Sequence, residues 1–263
     1  MLSSSTLKLS TLALAALASA CFTKRDSSAE DWSYDSPTHW ADNPSYGQCR
    51  NGTHQSPIQL NTNGLSWAAH RPTFDYVGTW NGTLVNNGHG LKFDLAHTED
   101  DYTSLPQLHF DDATVYLQSW HTHAPAEHVV NGDASTAEMH FVHVDASGTP
   151  RAVVGFRIDP SYNRRDSHSD FFGQCGKFPA TQEDPEVEVE DFEPSLALKQ
   201  VNTFKKFWTY SGSLTTPPCT EGLRWFVAAE TLVLGDEQLQ NLLSVSQYAS
   251  RPTQHIWLHD VGL

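Results

Sequence analysis

Trp120-His121-Thr122-His123 and, after a turn-rich interval containing Asn131-Gly132, Ala137-Glu138-Met139-His140-Phe141-Val142-His143 are the two stretches from which this chain can be read. Successive side chains on a strand point to opposite faces, so His121 and His123 share one face. On the second stretch Glu138, His140 and Val142 share a face, while Met139, Phe141 and His143 take the other. If the two segments pair as a hairpin, His121, His123 and His140 converge. Three imidazoles with a fourth position left open form the donor set of a catalytic zinc site. A lone His-x-His carries little weight in a chain with 14 histidines. The third histidine, two residues behind an acid on a neighbouring strand, is what gives the pattern its force. His143 alternates off that face and His128 is separated from it by the turn region, so both are expected to be structural.

Working outward, turn signals recur densely at Asn63-Gly64, Asn81-Gly82, Asn87-Gly88, Asn131-Gly132 and Ser147-Gly148. Between such signals lie short β-branched or aromatic segments such as Thr114–Trp120, Met139–Val144, Ala152–Ile158 and Trp225–Ala228. That rhythm predicts many short strands in one antiparallel, mainly β domain. Helical patterns are short, around Leu196–Lys206 and Gly235–Val245, the latter with Asp236 and Glu237 in its first turn. Seven acids between Glu183 and Glu193 predict a solvated loop or edge strand rather than a cation-binding strip. No repeat period and no Pro/Ser-rich linker divides the chain.

Composition sets the outer limits. The 263 residues are 38% hydrophobic and 11% aromatic, enough for a substantial core, with a formal charge of −15. So acidic a chain repels phosphate backbones, which argues against a nucleic-acid partner. Lys8, the Ala/Leu-rich run from Leu9 to Ala18 and the small residues Ala18-Ser19-Ala20 have the grammar of a secretory signal peptide over residues 1–20. The run is too short to span a bilayer, so no membrane association is expected. Lys24-Arg25 would extend a removable pro-segment to residue 25, leaving a mature domain over residues 26–263. Residues 1–25 carry Lys8, Lys24 and Arg25 and no acid, so their removal takes the charge from −15 to −18. Cys21 behind small residues hints at a lipoprotein, but Ala18 three residues earlier fits that poorly. The sequons at Asn51 and Asn81 instead favour a secreted, extracellular glycoprotein. In an oxidising compartment two of Cys49, Cys175 and Cys219 should pair, and composition does not choose the pair.

One further motif completes the set. Ser213-Leu214-Thr215-Thr216-Pro217-Pro218 places two hydroxyls ahead of two prolines, a rigid extended loop that presents them. Together with His121-x-His123, Glu127-His128 and Glu138-x-His140-x-Val142, this loop closely resembles the α-class carbonic anhydrases. Gln55-Ser56-Pro57-Ile58, Asn86-Asn87-Gly88-His89, Trp32-Ser33-Tyr34, Trp208-Thr209-Tyr210 and Arg251-Pro252 fit the same family in the expected order. The resemblance runs from about Trp32 to the C-terminus. It implies a large, twisted, mostly antiparallel central sheet with short peripheral helices and a conical zinc pocket.

It also implies the chemistry: zinc-dependent, reversible hydration of carbon dioxide to bicarbonate and a proton. His121, His123 and His140 would hold Zn²⁺, which lowers the pKa of a bound water to about 7, a property of which this family is the standard example. Thr215 would accept a hydrogen bond from the attacking hydroxide and donate one to Glu127. Val142, Val153, Leu214 and Trp225 would hold the uncharged substrate, and Thr216 would line the bicarbonate side. His89 would shuttle protons, a task that suits imidazole because an unperturbed histidine titrates at roughly 6.5, with Tyr34 and Asn87 ordering the intervening waters. Cys49 and Cys219 would form a disulfide tying an N-terminal loop to the Thr215 loop. The odd Cys175 would then be available for a homodimeric bridge.

Three departures stand out. Ser119 occupies the place of an amide that hydrogen-bonds the first ligand histidine, and Gln118 falls one residue too early. Glu138 still matches the partner of His140. Lys92 stands three residues after the shuttle, where many members carry an amide. The segment between His123 and Glu127 is abbreviated. Two rival classes follow the same motifs: a non-catalytic binding module, which typically lacks one of the histidines, and a zinc hydrolase acting on esters.

Overall fold

The computed structural model describes residues 32–64, 70–161 and 168–262. The leader and the pro-segment expected over residues 1–25 lie outside the described residues. The organising element is an 11-stranded sheet. Eight of its strands form a continuous path: β1 (Trp80–Asn86), β2 (Leu91–Leu95), β3 (Ala113–His123), β4 (Ala137–Val144), β5 (Pro150–Pro160), β6 (Val187–Phe192), β7 (Phe207–Ser213) and β8 (Glu221–Ala228). Their order across the sheet is β6-β1-β2-β3-β4-β5-β8-β7. The β3–β4 pairing is antiparallel with His121 opposite His140, the hairpin expected from the sequence. A parallel pairing of β5 with β8 makes the sheet mixed.

Burial on both faces explains the dense apolar composition of the central strands. Along β8, Phe226 and Ala228 join the larger core, while Leu223, Trp225 and Val227 join a second cluster on the opposite face. On β5, Val154 and Phe156 belong to the first cluster and Val153 to the second. Trp120, Met139 and Phe141 fill the larger core, so the alternating residues of β3 and β4 are directed to the other side. That division fixes the site: the histidines stand on the face that the large aromatic core leaves free.

The periphery follows the sequence reading closely. The acidic run ends in β6, the edge strand beside β1, with Glu188, Glu190 and Asp191 exposed. The two helical patterns become Ser195–Gln200, continued by a 3-10 turn at Asn202–Phe204, and Asp236–Ser244. Cys49 and Cys219 are joined by a disulfide across 170 residues of sequence. Cys175 corrects the expectation of a bridge between two copies. It is buried at 1% exposure behind the short helix Asp170–Gly173, its Sγ donating to the Phe171 carbonyl, and burial pushes the thiol up to about 12. A thiol in that position is a small core hydrophobe, not an interchain link.

Candidate metal centre and its supports

His121 and His123 come from β3 and His140 from β4, and one nitrogen of each lies within 4.8 Å of the others. Their rings stand 4.6–5.3 Å apart between centroids. His123 and His140 are buried and His121 is partly exposed. Burial, reinforced by the neighbouring rings, lowers the pKa of His121 and His140; burial alone dominates at His123, which falls to about 4. All three imidazoles are therefore neutral near pH 7, the form that donates a lone pair to a metal.

Two of the three are oriented by their second nitrogen. His123 Nδ1 donates to the Ala249 carbonyl at 2.7 Å, which leaves Nε2 as a buried acceptor with no hydrogen-bond partner among the described residues. His140 Nε2 donates to Glu138 Oε1 at 2.9 Å, which turns Nδ1 towards the cluster. An orphaned, deprotonated ring nitrogen that is buried is costly unless something fills it. Zinc fits this donor set: three neutral imidazoles, two of them with hydrogen-bonded second nitrogens.

Glu138 is the hub of the support. Its Oε2 accepts from the backbone N–H groups of Glu127 and His128, and its Oε1 from His128 Nδ1 at 2.6 Å as well as from His140. Burial opposes its charge, yet the two histidines outweigh this and hold its pKa well below the ordinary carboxylate value. His128 passes the connection on through Nε2 to the Tyr210 hydroxyl at 2.8 Å, which donates to Ser56 Oγ at 3.0 Å. The second group of metal-type donors, His128, Glu138 and His140, is thus satisfied by its own hydrogen bonds. Sequence reading set His128 aside as structural; its role in this relay depends on contacts 10 and 82 residues away. Gly155, opposite His140 on β5, contributes by being small, since a Cβ there would sit 3.0 Å from Glu138 Oε1.

Glu127 is also fully buried. Its Oε1 accepts the backbone N–H of Arg251 at 2.9 Å. Oε2 faces the cluster, 3.6 Å from His123 Nε2 and 4.0 Å from His140 Nδ1. Desolvation pushes the carboxyl up to about 7, partly offset by His140 and by the Thr215 hydroxyl. Thr215 is near enough to exert that pull, although Oε2 makes no hydrogen bond of good geometry. The Thr215 loop itself is held by Leu214 N–H to the Thr220 carbonyl, by Cys219 N–H to the Thr216 carbonyl, and by the disulfide.

The apolar residues named from the sequence lie on neighbouring strands and the adjoining loop. Val142 pairs with Val153 across β4 and β5, and Val153 with Trp225 across β5 and β8. Trp225 stands 4.8 Å from the His140 ring and donates to the Ser213 carbonyl, and Leu214 packs against the same cluster. Thr216 is partly exposed beside them.

His89 sits on the turn between β1 and β2, stacked on Trp32 at 5.0 Å and edge-on to Tyr34 at 5.0 Å. It is near enough for its charge to lower the pKa of His123. Asn87 differs from expectation in one respect. Its Oδ1 accepts from the N–H groups of His89 and Gly90 and so shapes this turn. Ser119 is buried opposite Val142, and Gln118 is the extra residue of a bulge between Leu117 and Ser119. Lys92 lies opposite His121 on β2 and pairs with Asp94 at 2.9 Å.

Comparison with known proteins agrees with this geometry. The family model for the eukaryotic-type carbonic anhydrases matches residues 35–258. A carbonic anhydrase of Klebsiella pneumoniae is 32% identical over 232 residues, 86% of this chain and 88% of the relative. The α-carbonic anhydrase of Thermovibrio ammonificans, solved with the inhibitor sulfanilamide, superposes with a TM-score of 0.73 at 30% identity, covering 86% of this chain and 94% of that one. A fungal α-carbonic anhydrase from Aspergillus oryzae superposes at 0.71 with 27% identity, over 83% and 89% of the two chains.

Proposed function

The chain belongs to the eukaryotic-type carbonic anhydrases, and from that premise we propose how its residues carry out the family's reaction, the reversible hydration of carbon dioxide to bicarbonate and a proton. His121, His123 and His140 hold a zinc ion. The observation that carries this is the orphaned Nε2 of His123, beside a His140 whose other nitrogen is tied to Glu138. Bound zinc supplies Lewis acidity that makes water a source of hydroxide near neutral pH.

The chain's own groups do the rest. Thr215, in hydrogen-bonding exchange with Glu127, fixes which lone pair of the reacting oxygen faces the substrate. The carbon dioxide molecule, which has no charge and no donor, is held by the apolar wall of Val142, Val153, Leu214 and Trp225. Side-by-side rates on carbon dioxide and on an activated ester separate this reading from that of a zinc hydrolase. Thr216 meets the bicarbonate that forms. His89 accepts the released proton on its ring and hands it to buffer. Its stacking on Trp32 and contact with Tyr34 support a ring held near the mouth, and Tyr34 orders water between it and the metal.

The chain is secreted, with residues 1–20 as signal peptide and a pro-segment ending at residue 25. A cross-link between Cys49 and Cys219 supports an oxidising compartment. Both sequon asparagines, Asn51 and Asn81, are exposed and open to glycosylation. Among the described residues no helix is long and apolar enough to cross a membrane.

The deciding experiment is stopped-flow carbon dioxide hydration on purified protein before and after zinc removal and restoration. Activity should vanish with the metal, return on adding Zn²⁺ and be inhibited by sulfanilamide. One bound zinc per chain with no hydration would overturn the reading in favour of a binding module.

A further inference from the structure

Residues 250–262 form no helix or extended strand, yet this segment supplies a hydrogen bond that orients the Glu127 carboxylate, from the backbone N–H of Arg251. A coil cannot hold a donor in register by itself. Here the Arg251 side chain does so. Its Nη1 donates to the Ser56 carbonyl at 2.7 Å, and its Nη2 to the Cys49 carbonyl at 3.1 Å and to Gln55 Oε1 at 3.0 Å. The guanidinium also lies 5.6 Å from the centroid of the Trp40 ring. Gln55 in turn donates to the Cys219 carbonyl at 3.0 Å and to Glu221 at 2.9 Å. A single cation thus joins the C-terminal coil to the disulfide-pinned N-terminal loop and to the base of the Thr215 loop.

The chemistry of these contacts makes stability a poor explanation. Arg251 is 3% exposed, and all three acceptors that bind its guanidinium are neutral. Burying a cation against neutral acceptors carries a desolvation cost that apolar packing at the same place would avoid. What only a planar, five-donor fork provides is simultaneous reach to three separate acceptors. We infer that Arg251 is a positioning residue for the reaction: its guanidinium fixes the backbone donor that aims Glu127, and through Glu127 the Thr215 hydroxyl. The inference rests on the role given to Glu127 above.

A double-mutant cycle tests it, with kcat/KM for carbon dioxide hydration as the readout and zinc content and thermal midpoint recorded for every variant. Arg251→Gln should lower kcat/KM about tenfold while retaining one zinc per chain, and in a Glu127→Gln background the same change should cost less than about twofold. Arg251→Lys keeps the charge but cannot span the three acceptors. It should lose about threefold, again only when Glu127 is present, and it serves if Arg251→Gln does not fold. A loss of equal size in both backgrounds would show that Arg251 acts through general stability, and would overturn the inference alone. A fully active Glu127→Gln enzyme would overturn the role of Glu127 and this inference with it.

Discussion

A ligand histidine has two nitrogens, and the one that does not face the metal decides where the other points. At His123 and His140 that second nitrogen is held by the Ala249 carbonyl and by Glu138, so the cluster is organised before any ion arrives. His140→Ala removes one of the three proposed ligands and leaves Glu138 without one of its two histidine donors. It should abolish both zinc retention after dialysis and hydration, read by metal analysis and stopped flow; a variant with a full equivalent of zinc and normal turnover would refute the assignment. Proton export is a separate residue-scale question. His89→Ala should slow turnover in dilute buffer, leave the rate in concentrated buffer nearly intact, and be rescued by added imidazole; equal rates in dilute buffer would remove His89 from the shuttle. The donors themselves were legible in the sequence because alternation along two strands is a local rule. Ala249, Tyr210 and Arg251 were not legible as supports, since each reaches the site from more than 80 residues away and two of the three use backbone atoms that carry no sequence signature.

At the scale of elements, the β3–β4 hairpin was readable because turn residues and a period of two agree over the same stretch. The acidic run was readable as solvated, as a loop or an edge strand, and the structure makes it the edge strand, where charge discourages pairing with other chains. The parallel β5–β8 pair was not, because strands about 70 residues apart leave no local mark of their partnership. The element most exposed to test is the Thr215 loop, pinned by Cys49–Cys219. Closing a loop of 170 residues removes denatured-state entropy worth up to about 5 kcal/mol, with typical bridges nearer 2–4. Cys49→Ser with Cys219→Ser should therefore lower the denaturant midpoint by that order. It should also depress kcat/KM at temperatures where the variant is still folded, because the Thr215 loop loses its anchor. Loss of stability with kcat/KM unchanged would confine the bridge to the unfolded state.

Over the whole molecule, buried histidines whose pKa is lowered contribute to the response to acid. His143 is the cleanest case, being fully buried on the side of β4 away from the metal cluster. Its Nδ1 donates to the Phe141 carbonyl at 3.1 Å, its Nε2 accepts from the Tyr76 hydroxyl, and burial lowers its pKa from 6.5 to about 3. The Tyr76 hydroxyl is pushed well above its ordinary value by burial and stays a donor. With the folded pKa below the unfolded one, the unfolded chain binds the extra proton between pH 6.5 and about 3. Stability from this group is therefore complete above pH 6.5 and falls as acid is added, by as much as about 1.4 kcal/mol per pH unit. His143→Phe removes the titration but leaves the buried Tyr76 hydroxyl without its acceptor, at a cost of roughly 1–3 kcal/mol. The variant should be the less stable protein at pH 7, and the gap to wild type should narrow steadily by pH 4.5 in urea unfolding curves. Both chains keep the same metal ligands, so loss of zinc in acid affects them alike and cancels from the difference. A gap that stays constant between pH 7 and 4.5 would mean that His143 does not titrate with folding, and that the acid response belongs to other groups.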